Sequence, residues 1–278
     1  MASTLARLVE FREKLTSLSP ASASAMPFRV VHSSGGAAGI KSVTSEGMGY
    51  GLLIAGVAVA TQPEASASWR AALTLGEELF AGWRRMCEMS KGGCQEDPHL
   101  WCGGLLKRDG VNSKGFTACL PSWLFDVGVR TQAATGSATD GDEDALLGLV
   151  LLTEATNAQL WAQHEQTLSW TYESLRAFLT HGVSSSTDSA GRRVPKLGSC
   201  WGGFDCNNPS YAAPGHYRAF RAFMVRHGSA LGIPPEETLA TTRGWDALIA
   251  GSYALLDDAQ CESTGLVPNW WQPAGPER

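Results

Sequence analysis

Three short stretches hold side chains that could do acid–base chemistry on a neutral ligand. Glu46 stands in Thr44-Ser45-Glu46-Gly47, at the mouth of an apolar run. Four acids crowd Asp140-Gly141-Asp142-Glu143-Asp144, which heads a second apolar run. Two carboxyl groups at the mouths of two buried helices would face each other, as acid–base cleavage of a glycosidic bond requires. The third stretch runs from Trp201-Gly202-Gly203 to Asn208-Pro209-Ser210-Tyr211. Trp201 offers an indole face on which a sugar ring can stack, and Trp101 offers another. Asn208 and Tyr211 flank the Pro209 turn and supply polar groups beside it.

Each of these has a plainer structural reading. A Glu after a Thr or Ser cap is favoured by the helix dipole, and Asp140 with Glu143 three residues on matches a capping box. Trp201 and Trp101 could simply plug a core. Two features exceed those readings. Gly47, Gly49, Gly51 and Gly56 interrupt the first apolar run, at ~0.5–1 kcal/mol each relative to Ala, so some neighbour must need close backbone approach. In the second run, four acids exceed what capping needs. A calcium loop does not fit there: position 6 would be Ala145 rather than Gly, and position 12 Leu151 rather than Glu.

Elements must hold these groups, and the pattern is almost entirely helical. Residues 3–18, 67–88 and 159–181 are amphipathic. Residues 46–60, 144–153 and 211–225 are apolar or small nearly all round, with 244–257 a fainter member. A helix without a polar face must be buried on every side. The alternation predicts an all-α fold, an α/α barrel of inner and outer helices, in a single domain over 1–278.

Composition removes other classes. With 22 Lys and Arg against 27 Asp and Glu, the net charge is −5 and no basic cluster serves nucleic acid. The apolar run Gly47–Ala60 falls short of the ~20 residues that span a bilayer. Leu5, Leu8, Val9 and Leu15 with Glu10 and Glu13 read as a helix rather than a signal peptide. The chain has ten Trp beside five Tyr, suited to a lined cleft. Its seven cysteines cannot all pair within one chain, and those in the loops permit disulfides in a secreted protein. Cys87, Cys94, Cys102 and His99 lack the tight clip of structural zinc. No metal and no organic cofactor is expected.

The stretches VTSEGMGYGLLIA (43–55), GSATDGDEDALLGLVLL (136–152), WGGFDCNNPSYAAPGHYRAF (201–220) and TGLVPNW (264–270) occur in one order. Together they make the chain resemble glycoside hydrolase family 8, especially its endoglucanase branch. The resemblance implies an (α/α)6 barrel, an exported protein and inverting hydrolysis of a β-1,4-glucan, or of xylan or chitosan as in relatives. It makes Glu46 the general acid and Asp140 the residue that binds and distorts the sugar at the cleavage point. It makes Tyr211 a support of that subsite and Trp201 and Trp101 stacking platforms. Such an acid is expected to hold its proton through burial or through Asp140 nearby. The family's base is an Asp in a Tyr-Asp-Ala-x-Arg-type segment soon after TGLVPDW. Here Val267-Pro268-Asn269-Trp270 precedes residues 271–278, which hold no Asp. The chain therefore reads as the N-terminal portion of an incomplete barrel, with Asp205 and Asp142 as in-chain substitutes for the base. A catalytically silent oligosaccharide-binding relative is the alternative.

Overall fold

The computed structural model describes residues 3–19, 27–32, 42–90 and 120–271. Trp101 and the Cys94, His99 and Cys102 group lie outside these residues. Among them, helix α1 (Thr4–Leu15) leads into an antiparallel pair, β1 (Thr16–Ser19) and β2 (Phe28–Val31). Then come β3 (Ser42–Thr44), α2 (Ser45–Thr61), α3 (Ala67–Met89) and β4 (Leu124–Asp126). Helices α4 (Thr139–Glu154), α5 (His164–Ala177), α6 (Pro214–His227) and α7 (Pro235–Ala259) complete the order.

Helices adjacent in sequence pack as α2 on α3, α4 on α5 and α6 on α7, while α2 meets α4 and α4 meets α6. That is the inner–outer alternation of an α/α barrel. Helix α3 shows why an outer member forms. Trp69, Leu73, Phe80 and Trp83 recur on its buried face, while Ser66 Oγ caps it by accepting from Trp69 N at 3.2 Å. Helix α4 has two apolar faces. Ala145, Leu149 and Leu152 join the core of α2 and α3. Leu146 and Val150 join a second core with Tyr172, Phe178, Phe220 and Trp245.

The glycines of α2 meet the backbone of α4. A Cβ on Gly49 would lie 2.6 Å from Gly141 O, and one on Gly56 would lie 2.5 Å from Gly148 O. The contact repeats after seven residues on both helices, with numbers rising together, so α2 and α4 run parallel and their N-termini lie at one end. This is the close approach that the glycine-interrupted run demanded. Two helices differ from expectation. Helix α7 buries one face only, through Trp245, Leu248, Ser252 and Leu255, and packs on α6 as an outer helix does. Helix α6 exposes Arg218, Ala222, Val225 and Arg226, so it is not covered all round. Helix α2 likewise turns Tyr50, Ile54 and Val57 outward. Of the inner helices among the described residues, α4 alone is covered on both sides.

The strands are short anchors. Arg29 on β2 donates through Nε to Glu78 Oε2 on α3 at 2.6 Å and through Nη1 to Thr16 Oγ1 at 2.7 Å. In the second pair, Thr44 on β3 opposes Leu124 on β4, which fixes the start of α2.

Replacing a helical Gly by Ala ordinarily stabilises a helix. Gly148→Ala is expected to do the opposite, because its Cβ would stand 2.4 Å from the Leu52 carbonyl carbon, which cannot rotate away. Urea unfolding should record a loss of about 1–3 kcal/mol. Gly215→Ala, with nothing within 4 Å, is the control that should lose no stability.

Candidate active site

The site forms where the parallel helices α2 and α4 begin. Thr44 caps α2, its Oγ1 accepting from Gly47 N at 3.1 Å. Ser45 N donates to Trp123 O at 2.9 Å, which ties that end to the loop before α4. Glu46 is therefore a first-turn acid rather than the cap, and its carboxylate sits at the positive end of the helix. It stands exposed, so the burial expected of the acid is not found. Tyr50, one turn on, donates its hydroxyl to Glu46 Oε1 at 2.9 Å. That bond, followed by partial burial, pushes the Tyr50 phenol up to about 12, so it remains a donor at neutral pH.

Asp140 is not a capping residue either. The N-cap of α4 is Ala138, which gives no side-chain bond, and Asp140 Oδ1 accepts from Gly141 N at 2.8 Å. Burial raises the Asp140 carboxyl above the usual range, and the charges of Glu46 and Asp144 raise it further. Gly141 N–H and the Tyr211 hydroxyl oppose that rise. Glu46, Asp140 and Tyr211 thus share one electrostatic neighbourhood. The Tyr211 phenol is itself pushed up, first by burial and then by Asp140.

Two further acids lie beneath. Asp142 is 0% exposed, and neither of its oxygens makes a hydrogen bond of normal geometry. Burial pushes its carboxyl well above the usual range, opposed in part by the Ser137 hydroxyl. A side chain closed off from solvent cannot activate a water at a surface cleft, so Asp142 is not a substitute base. Asp205 is exposed on the loop before Cys206. Glu143, also buried, bonds to the Tyr217 hydroxyl rather than closing a capping box. On the same helix, Asp144 Oδ1 meets His216 Nε2 at 3.1 Å.

Trp201 owes its position to a loop strapped onto the start of α4. Thr139 N donates to Leu197 O at 3.2 Å, and Ser137 N to Ser199 Oγ at 3.0 Å. Leu197 N then donates to Trp201 O at 3.1 Å. The Trp201 indole is 54% exposed, so it does not plug the core. Trp270, 59% exposed, stacks on it with centroids 6.5 Å apart and planes at 30°. Asn208 Oδ1 accepts from Ser210 N at 3.1 Å and Ser210 Oγ at 2.7 Å, which shapes the Pro209–Tyr211 turn. Nearby, Asn207 and Trp271 exchange backbone bonds of 3.0 and 2.9 Å and hold Trp270 against this loop. Sequence reading singled out neither Tyr50 nor Trp270. The i, i+4 spacing from Glu46 and the final Trp of TGLVPNW were the signals for them.

Inner and outer helices, with carboxyl groups and exposed indoles at one end, define an α/α barrel protein whose site opens at the mouths of its inner helices. The profile of the Glycosyl hydrolases family 8 matches residues 108–275. This chain belongs to that family. The match takes in Asp140, Trp201, Asn208 and Tyr211, while Glu46 lies before it. Endoglucanase 2 of Ruminiclostridium josui is 30% identical over 162 residues, which are 58% of this chain and 29% of that protein. Endoglucanase A of Acetivibrio thermocellus is 28% identical over 145 residues, 50% of this chain and 25% of that one. Among solved structures, a beta-1,3-1,4-glucanase from Paenibacillus sp. X4 superposes with a TM-score of 0.59 at 18% identity. The superposition covers 98% of this chain and 56% of that one. An endo-beta-1,4-glucanase from Acetobacter xylinum gives a TM-score of 0.58 at 17% identity, over 96% and 61% of the two chains. The chain thus spans less than a third of the curated relatives it matches and little more than half of the structural ones.

The buried Asp142 carboxyl sets a pH dependence. Its folded-state value is raised, so its contribution to stability is full below the unfolded-chain value of ~3.9. That contribution is lost as pH rises through the folded-state value. Asp142→Asn should therefore flatten the fall in melting temperature above pH ~4 and leave stability in stronger acid nearly unchanged. Thermal unfolding across pH 3–9 measures this, and parallel curves for the two proteins would refute it.

Proposed function

We propose that this chain carries the acid and the sugar-binding wall of an inverting β-1,4-glucan hydrolase. The observation that carries the reading is the pairing of Glu46 and Asp140 at the mouths of two parallel helices joined glycine to glycine. Family membership and the endoglucanase relatives support it. Glu46, protonated, gives its proton to the departing glycosidic oxygen. A water attacks the anomeric carbon from the opposite face, and a base takes the water's proton, so the configuration inverts. Asp140, with Tyr211 beside it, holds the sugar at the cleavage point, and the Trp201–Trp270 pair stacks a further ring. The base is Asp205, or an Asp supplied from outside residues 1–278. Export suits the chain, since Cys200 is disulfide-bonded. Among the described residues no helix is long and apolar enough to cross a membrane.

A second reading is a binding protein without turnover, which the exposed Trp201–Trp270 pair would serve equally well. Reducing-sugar release from a soluble β-glucan, beside calorimetry with a cello-oligosaccharide, separates the two. Turnover supports the first reading with Asp205 as the base, and binding alone removes Asp205 and leaves the second reading or a base from elsewhere.

Glu46→Gln is expected to keep sugar binding and remove nearly all turnover. The loss should shrink on aryl glycosides with good leaving groups, which need little protonation. Equal loss on good and poor leaving groups would remove Glu46 from the role. Asp140→Asn should lower kcat by orders of magnitude with a modest change in melting temperature. Normal kcat with a lowered melting point would make Asp140 purely structural.

A further inference from the structure

The Tyr217 hydroxyl has one proton and two acceptors. It is fully buried, bonds to Glu143 Oε1 and lies 3.0 Å from the carbonyl oxygen of Tyr211. One hydrogen cannot serve both contacts at full strength. If Glu143 were ionised, either its carboxylate or the Tyr211 carbonyl would face a lone pair inside a dry core, at the cost of an unmet buried acceptor. The groups around Glu143 make ionisation worse. Asp140, Asp142 and Asp144 lie on its own helix, while Tyr217 from α6 and Tyr211 from the turn face it. His216 from α6 is engaged by Asp144. Among the described residues no Lys or Arg balances a charge at Glu143. A second proton on Glu143 resolves the conflict: the carboxylic acid donates to Tyr217, and Tyr217 donates to Tyr211.

We infer that Glu143 is a neutral carboxylic acid in the folded protein, and that the one-way chain Glu143 O–H to Tyr217 O–H to Tyr211 C=O positions the Tyr211 phenol against Asp140. Glu143 and Tyr217 are then positioning residues, touching no sugar themselves. The chain fixes the backbone of the residue whose hydroxyl steadies the charged form of Asp140. This rests on the proposed reading for its bearing on catalysis, but the proton chain itself does not.

The experiment uses the 278-residue protein without any sugar. In infrared difference spectra at neutral pH, Glu143→Gln should lose a protonated-carboxyl carbonyl band. Loss of a carboxylate band instead would overturn the neutral acid. Carbon-13 NMR then follows the Asp140 carboxyl through its titration. Glu143→Gln keeps an N–H donor toward Tyr217 and should leave that midpoint in place. The double variant Glu143→Met/Tyr217→Phe removes both partners together, the change least damaging to a buried pair. It should raise the Asp140 midpoint, because Tyr211 is no longer held. A lowered midpoint would mean that Glu143 had been a charged neighbour, and an unchanged one would mean that Tyr211 is held by other contacts. Either outcome overturns the positioning role. Should the double variant fail to fold, Tyr217→Phe alone is titrated: a raised midpoint supports the positioning role, and an unchanged or lowered one overturns it. On a β-glucan, loss of the chain should lower kcat on the order of tenfold to a hundredfold with a smaller change in KM. If the wild-type protein neither binds nor cleaves sugar, the proposed function fails while the infrared and titration results still decide the chain.

Discussion

The approach of α2 to α4, glycine against glycine, is the contact on which the rest of the site depends. A methyl group at either level would push the two backbones apart, and no side-chain rotation could absorb it. Because the contact repeats in step along parallel helices, it also brings two helix N-termini together. Each N-terminus favours an anion and leaves N–H groups unpaired. Acids at both mouths satisfy that field, but their mutual proximity works against both being charged.

The polar groups meet this conflict by depth. At the surface, Glu46 and Asp140 are supported by the hydroxyls of Tyr50 and Tyr211. One layer below, Asp142 and Glu143 have no solvent, and burial drives both toward the neutral form. The four acids within five residues are thus divided between Asp140 and Asp144, which keep partial exposure, and Asp142 and Glu143, which are buried. Their crowding is tolerable because they do not all carry charge together.

Much of this was legible beforehand, and the limits have physical causes. Glycines inside an apolar run signalled the helix contact, since nothing else offsets their cost. The placing of α7 was misread because Leu248 and Leu255 outweighed the exposed polar residues between them, although the helix buries one face. The capping box offered as the plainer reading of Asp140 does not form, because Asp-x-x-Glu spacing looks alike whether the Asp precedes the helix or lies within it. Helix α4 begins at Thr139, so the box has no cap to close. Trp201 was found as a type of residue, but its partner Trp270 was not. Their stacking depends on the Asn207–Trp271 bridge, a pairing across more than sixty positions that no local pattern encodes. Trp101 falls outside the described residues.

The inner–outer pairing has a consequence for how the chain is made. Each outer helix packs on the inner helix just before it, and each inner helix meets the next inner one along the sequence. The inner–outer contacts have short loops to close, so little chain entropy is spent before they form, whereas the inner–inner contacts close much longer stretches. The wall can grow pair by pair in the order of synthesis, as stacked repeats do. Within that sequence the mouth of α2 must wait, because Gly141 of α4 completes its wall almost a hundred residues later. The nascent chain therefore builds its scaffold first and its chemistry only once α4 has docked.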